Sequence, residues 1–189
     1  MEALLTSTAV VALAEIGDKT QLLAIVLATR FKRPLPIVLG ILVATLANHF
    51  LAALVGVQAA SLLEGQWFRY LVAASFILMA GWTLIPDTFD EDEARPSRFG
   101  AFLTTLIAFF FVEMGDKTQI ATIALGAQFH SILAVMSGST LGMMIANVPA
   151  VFLGNELIKR IPLTTVRIVT ALLFLAIGVW LLLQTAGLL

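Results

Sequence analysis

Two eight-residue words hold most of the side chains in this chain that could do chemistry: AEIGDKTQ at residues 14 to 21 and VEMGDKTQ at residues 112 to 119. Each sets a glutamate (Glu15, Glu113), an aspartate (Asp18, Asp116), a lysine (Lys19, Lys117) and a threonine (Thr20, Thr118) into apolar surroundings. On a continuous helix, acids three residues apart share a face, with Gln21 or Gln119 next along the same stripe. The inventory is all oxygen, which suits hard cations such as Mn2+, Ca2+ or Mg2+ and disfavours copper or structural zinc. Four carboxylates against two lysines leave a surplus of two negative charges. One divalent cation would cancel it, as would two protons in the cation's absence.

A structural role is the competing explanation. Lys19 follows Glu15 by four residues, the favourable order for an intrahelical ion pair, so each word could be a self-neutralised clamp between helices. The cost argues against a clamp as the whole account. Each charged residue at the centre of a membrane helix costs about 2.5 to 3.5 kcal/mol, so six ask for roughly 15 to 20 kcal/mol. Buried ion pairs rarely return more than packed apolar residues would. Lys19 and Lys117 are then expected to balance charge, either by holding the acids apart or by acting as the internal cation when a metal leaves. Gly17 and Gly115 weaken the helix locally and could expose a backbone carbonyl as a further oxygen ligand.

The elements that must position these words are membrane helices. Of the 189 residues, 60% are hydrophobic and only 12% charged, and mean hydropathy is +1.00, whereas a soluble domain carries roughly 25% charged residues. The net charge of -1 and the lack of a basic stripe interleaved with aromatics exclude nucleic acid as a partner. With no cysteine there is no thiolate metal site, disulfide or thiol nucleophile. No HExxH, Ser/His pairing or phosphate loop is present, so the chain is not expected to be an enzyme. The N-terminus lacks a basic signal region and is expected to be a retained first helix.

Spanning a bilayer takes about 20 apolar residues in a helix. Six segments reach that length: roughly 4 to 28, 35 to 58, 68 to 86, 101 to 126, 132 to 154 and 163 to 186. A shift of 98 residues superposes the two halves without a gap, carrying Glu15 onto Glu113, Gly40 onto Gly138, Arg69 onto Arg167 and Trp82 onto Trp180; nine of the seventeen residues from 15 to 31 are identical. A repeat of three spans is odd in number, so the second copy must be inverted. The expected fold is therefore an all-α integral membrane protein of six transmembrane helices in two inverted three-helix repeats. Residues 1–86 form the first repeat, 87–98 an acidic cytoplasmic linker and 99–189 the second.

Basic residues support that orientation, because positive loops stay cytoplasmic. One face collects Arg30, Lys32, Arg33, Arg95, Arg98, Lys159 and Arg160, with Arg167 close by; the other has Arg69 alone. Both termini are thus expected outside and the central loop in the cytoplasm, in the plasma membrane of a prokaryote. Inverted first and fourth helices would bring the two acidic words together near the bilayer midplane, where repeat-built transporters keep their sites. Asn48, His49 and Asn147 are further polar residues inside spans, and the repeat sets His49 opposite Asn147. They either extend the coordination sphere or hydrogen-bond between helices.

The duplicated Glu-x-Gly-Asp-Lys-Thr word resembles the signature of the cation (Mn/Ca) exporter family, with its paired Glu-x-Gly-Asp-[Lys/Arg]-[Ser/Thr] motifs and its MneA-like manganese exporters. The likeness covers almost the whole chain, and neither copy departs from the motif. What the resemblance implies is secondary export of Mn2+, in some members Ca2+, in exchange for protons. Glu15, Asp18, Glu113 and Asp116 would then be the cation ligands or proton carriers, supported by Thr20 and Thr118. No cofactor is implied, since the metal is cargo; the partners are the divalent cation, protons and the lipid bilayer, and self-association is left open. The rival readings are a Ca2+/H+ antiporter of the same architecture and a non-transporting membrane protein.

Overall fold

The computed structural model describes residues 1–63, 65–85, 99–154 and 162–188. Among these residues there are eight helices and no strand: α1 (Glu2–Glu15), α2 (Lys19–Phe31), α3 (Pro34–Leu62), α4 (Gln66–Thr83), α5 (Ala101–Val112), α6 (Lys117–Phe129), α7 (Ile132–Leu153) and α8 (Leu163–Thr185). The acidic linker expected at 87–98 and the basic pair Lys159 and Arg160 lie outside the described residues. By length and apolar composition, α3, α7 and α8 could each cross a membrane unaided, and α5 is a shorter apolar helix. Large apolar side chains stand exposed along α3 (Leu35, Leu39, Val43, Val55) and α8 (Ile168, Leu172, Leu175, Val179). Water would not tolerate so continuous an apolar surface, but lipid does.

The first and fourth expected spans are each broken in two, at the acidic words. α1 ends at Glu15 and α2 begins at Lys19; α5 ends at Val112 and α6 begins at Lys117. Gly17 has φ +83° and Gly115 φ +80°, left-handed values that cost a non-glycine residue about 1 to 2 kcal/mol. A helix cannot pass through such a residue. The acids therefore do not share the face of one helix: Asp18 and Asp116 are the extended N-cap residues of the second pieces, at φ -79° and -76°.

Packing largely respects an exchange of the two halves. α1 packs on α7 as α5 packs on α3, and α2 meets α7 as α6 meets α3. α3 crosses α7, and α4 pairs with α8. Close approach at corresponding glycines repeats the relation: a β-carbon on Gly40 would strike the Phe102 carbonyl oxygen and Thr105, and one on Gly138 would strike the Leu4 carbonyl oxygen and Ser7. Phe102 and Thr105 are the shift-98 counterparts of Leu4 and Ser7. The α4/α8 pair departs from this exchange. It leans on α1 and α6, through α8 against α1 and α4 against α6, with no comparable packing of α4 on α5 or of α8 on α2 among the described residues.

Candidate cation site

The two helix breaks are built alike. In the first, the Gly17 N–H donates to Gln21 Oε1 at 3.0 Å; in the second, the Gly115 N–H donates to Gln119 Oε1 at 2.6 Å. A broken helix leaves backbone donors without their usual acceptors, and in a membrane each must be satisfied internally. The glutamine of the word performs that task, so its carbonyl oxygen is committed to the loop. Gln21 also donates through Nε2 to the Ala146 carbonyl on α7 at 3.0 Å, fastening the break to the neighbouring repeat.

The glutamates at the breaks are completely buried, and each is held by the threonine five residues on. Thr20 Oγ1 donates to Glu15 Oε2 at 2.5 Å, and Thr118 Oγ1 to Glu113 Oε2 at 3.0 Å. Asn147 on α7 adds a second donor to Glu15 Oε2 at 3.2 Å, while also reaching the carbonyl oxygen and sulfur of Met143. Asn48 on α3 donates to the Phe110 carbonyl at 2.9 Å rather than to an acid. His49 is fully buried, and neither ring nitrogen has a partner.

Glu15, Glu113 and Asp116 offer one oxygen each within 4.8 Å of one another, all three residues being buried. Oxygens so spaced can share one cation, since Mn2+ or Ca2+ binds oxygen at a little over 2 Å. Glu15 Oε1, Glu113 Oε1 and Asp116 Oδ2 have no hydrogen-bond partner, so unspent acceptor capacity is concentrated here. Asp18, though buried, stands outside this group; it lines a separate cavity of 10 Å3 with Lys117, Arg167, Thr83 and Thr170.

The lysines are placed differently from one another. Lys19 Nζ lies 3.2 Å from Asp116 Oδ1, across the molecule. Lys117 is buried, donates to the Ile85 carbonyl at 3.4 Å and sits 5.9 Å from the Trp82 ring centroid. Two residues that sequence reasoning passed over help close the first break. Leu163, at the start of α8, covers Gly17, and Thr170 donates to the Leu13 carbonyl at 2.9 Å. Leu163's only signal in the sequence was its position at the start of a span, and Thr170's was a hydroxyl inside one.

Fold and site together define an all-α membrane protein built around a buried acidic cluster at two broken helices. The chain belongs to the GDT1 family of divalent cation/proton antiporters, whose family model matches residues 3–91 and 101–188. That family is one of transporters rather than enzymes. A protein of Vibrio cholerae named "Putative manganese exporter" is 51% identical over 176 residues, covering 93% of this chain and 88% of its own length. The GDT1-like protein sll0615 of Synechocystis is 30% identical, covering 87% of this chain and 88% of its own length. GDT1-like protein 5 of Arabidopsis thaliana is 29% identical, covering 92% of each chain. No solved structure matches.

Proposed function

We propose that this protein exports Mn2+ across a prokaryotic plasma membrane in exchange for protons, by alternating access to a site made of Glu15, Glu113 and Asp116. The observation that carries the reading is the meeting, within 4.8 Å, of buried acids contributed by both halves of the repeat. In this reading α1 with α2, and α5 with α6, each form one broken span, so the chain crosses the membrane six times as two inverted repeats. Broken helices at an ion site are how such repeats expose backbone and acid groups to cargo without exposing them to lipid. Both termini lie outside and the 87–98 linker is cytoplasmic. Asp18 relays protons or cations beside the cluster, with Lys19 and Lys117 balancing charge in the empty state.

The unequal packing of the α4/α8 pair supports alternation. Exchanging the halves converts the observed contacts, α8 on α1 and α4 on α6, into α4 on α5 and α8 on α2, the second arrangement that a rocking pair would adopt. The name of the Vibrio relative supports Mn2+ as cargo, while oxygen-only acids would also take Ca2+. The test is flux in proteoliposomes holding a manganese-quenched dye. Under a proton gradient Mn2+ enters or leaves with coupled proton movement, and Asp116→Asn or Glu113→Gln abolishes it while the protein stays folded and inserted. Wild-type rates in both variants would refute the site.

A further inference from the structure

The two half-sites are not chemically equal. The repeat sets His49 of α3 where Asn147 stands in α7, and Asn147 donates to the carboxylate of Glu15. The helix packing around this point follows the exchange of halves. α3 packs on α5 and α6, the two pieces around Glu113, as α7 packs on α1 and α2 around Glu15. The level is right as well: Asn48, one residue before His49, donates to the Phe110 carbonyl, one turn before Glu113. Its counterpart Ala146 accepts from Gln21 beside Glu15.

We propose that His49 is the selectivity residue of the cation site, holding in α3 the repeat position from which Asn147 in α7 reaches Glu15, and supplying to a bound cation a nitrogen donor that favours Mn2+ over Ca2+. This rests on the cation site proposed above. The simpler explanation is a core histidine, but such a residue normally gives its N–H to a carbonyl or carboxylate. His49 is 0% exposed with both nitrogens unpartnered, and Glu113 Oε1, buried in the other half-site, is unpartnered too. The imidazole stands outside the group of Glu15, Glu113 and Asp116. A cation at Glu113 gives the orphaned nitrogen the partner it lacks. Ca2+ and Mg2+ take oxygen ligands, whereas a site that adds a nitrogen also binds first-row transition ions, of which Mn2+ is the most weakly held. Asn147 has no such nitrogen, so the preference is built into one half only.

The experiment is pulsed electron paramagnetic resonance on Mn2+ bound to the purified full chain, at natural abundance and after labelling histidine with 15N. The expected result is 14N modulation of the Mn2+ echo that becomes a 15N pattern on labelling and disappears in His49→Asn. In the same variant the ratio of Mn2+ to Ca2+ affinity, from competition binding, should fall about tenfold. Bound Mn2+ without histidine-derived modulation in the wild type would overturn this inference and leave the cation site standing. A wild-type protein that binds no Mn2+ would overturn both. Should His49→Asn fail to fold, the labelled spectrum of His130→Gln, which leaves His49 as the chain's one histidine, decides.

Discussion

Lys19 Nζ lies 3.2 Å from Asp116 Oδ1 in the opposite repeat, while Glu15, four residues earlier in the chain, takes its hydrogen bonds from Thr20 and Asn147. The ion pair therefore joins the two halves at the acidic cluster instead of closing one word on itself. Removing either partner leaves a largely buried charge uncompensated, and removing both does not. In a double-mutant cycle of Lys19→Gln and Asp116→Asn, thermal unfolding in detergent should show a coupling of about 1 to 3 kcal/mol. The Lys19→Gln and Glu15→Gln cycle should show distinctly less. Equal coupling in the two cycles would restore the intrahelical pair.

In this account Asn147 acts on cargo through Glu15, to whose carboxylate it donates. Replacing it with alanine removes a donor to a buried carboxylate without removing a proposed ligand, and such supporting groups typically contribute 10- to 100-fold in metal affinity. Mn2+ binding by calorimetry should weaken within that range while Asn147→Gln recovers part of it. Unchanged affinity in the alanine variant would separate Asn147 from the site.

The two glycines differ in what surrounds them, and substitution should reveal it. A β-carbon at Gly115 meets open space, so Gly115→Ala carries only the left-handed backbone penalty, about 1 to 2 kcal/mol. At Gly17 the same penalty is joined by Leu163 Cδ2, 2.6 Å from where the β-carbon would be. Thermal melts should rank Gly17→Ala below Gly115→Ala, and Leu163→Ala should narrow the gap. The reverse order would mean that Leu163 does not cover the first break.

Protons and cation compete for the same acids in this account. Carboxylates must be deprotonated to bind metal, so lowering the pH weakens apparent Mn2+ affinity and Mn2+ binding releases protons. Calorimetry in two buffers of different ionisation enthalpy should give different observed heats, with the sign of proton release. Identical heats and a pH-independent affinity would argue against proton exchange at this site.

A good part of this was legible in the sequence, and the shortfall has physical causes. The 98-residue repeat, the all-helical apolar character and the meeting of the two acidic words follow from duplication and hydropathy, though the expectation joined all four acids, Asp18 included. The helix breaks were only hinted at by Gly17 and Gly115, because a single glycine is usually tolerated inside an apolar helix. What stops the helix is a left-handed glycine whose N–H is captured by Gln21 or Gln119, a side-chain commitment that periodicity does not encode. The Lys19 to Asp116 pairing and the position of Asp18 outside the three-acid group depend on how the halves dock, a long-range matter no local spacing reveals. The lean of the α4/α8 pair is equally invisible to a repeat, since identical halves can pack unequally.

The central claim is that one divalent cation is held between acids from both repeats. Crystals of the full chain soaked with Mn2+, with anomalous scattering recorded at the manganese edge, test it most directly. The account predicts a single strong peak among the carboxylates of Glu15, Glu113 and Asp116, lost on soaking Asp116→Asn. A peak elsewhere in the bundle, or none in protein shown to transport Mn2+, would contradict it.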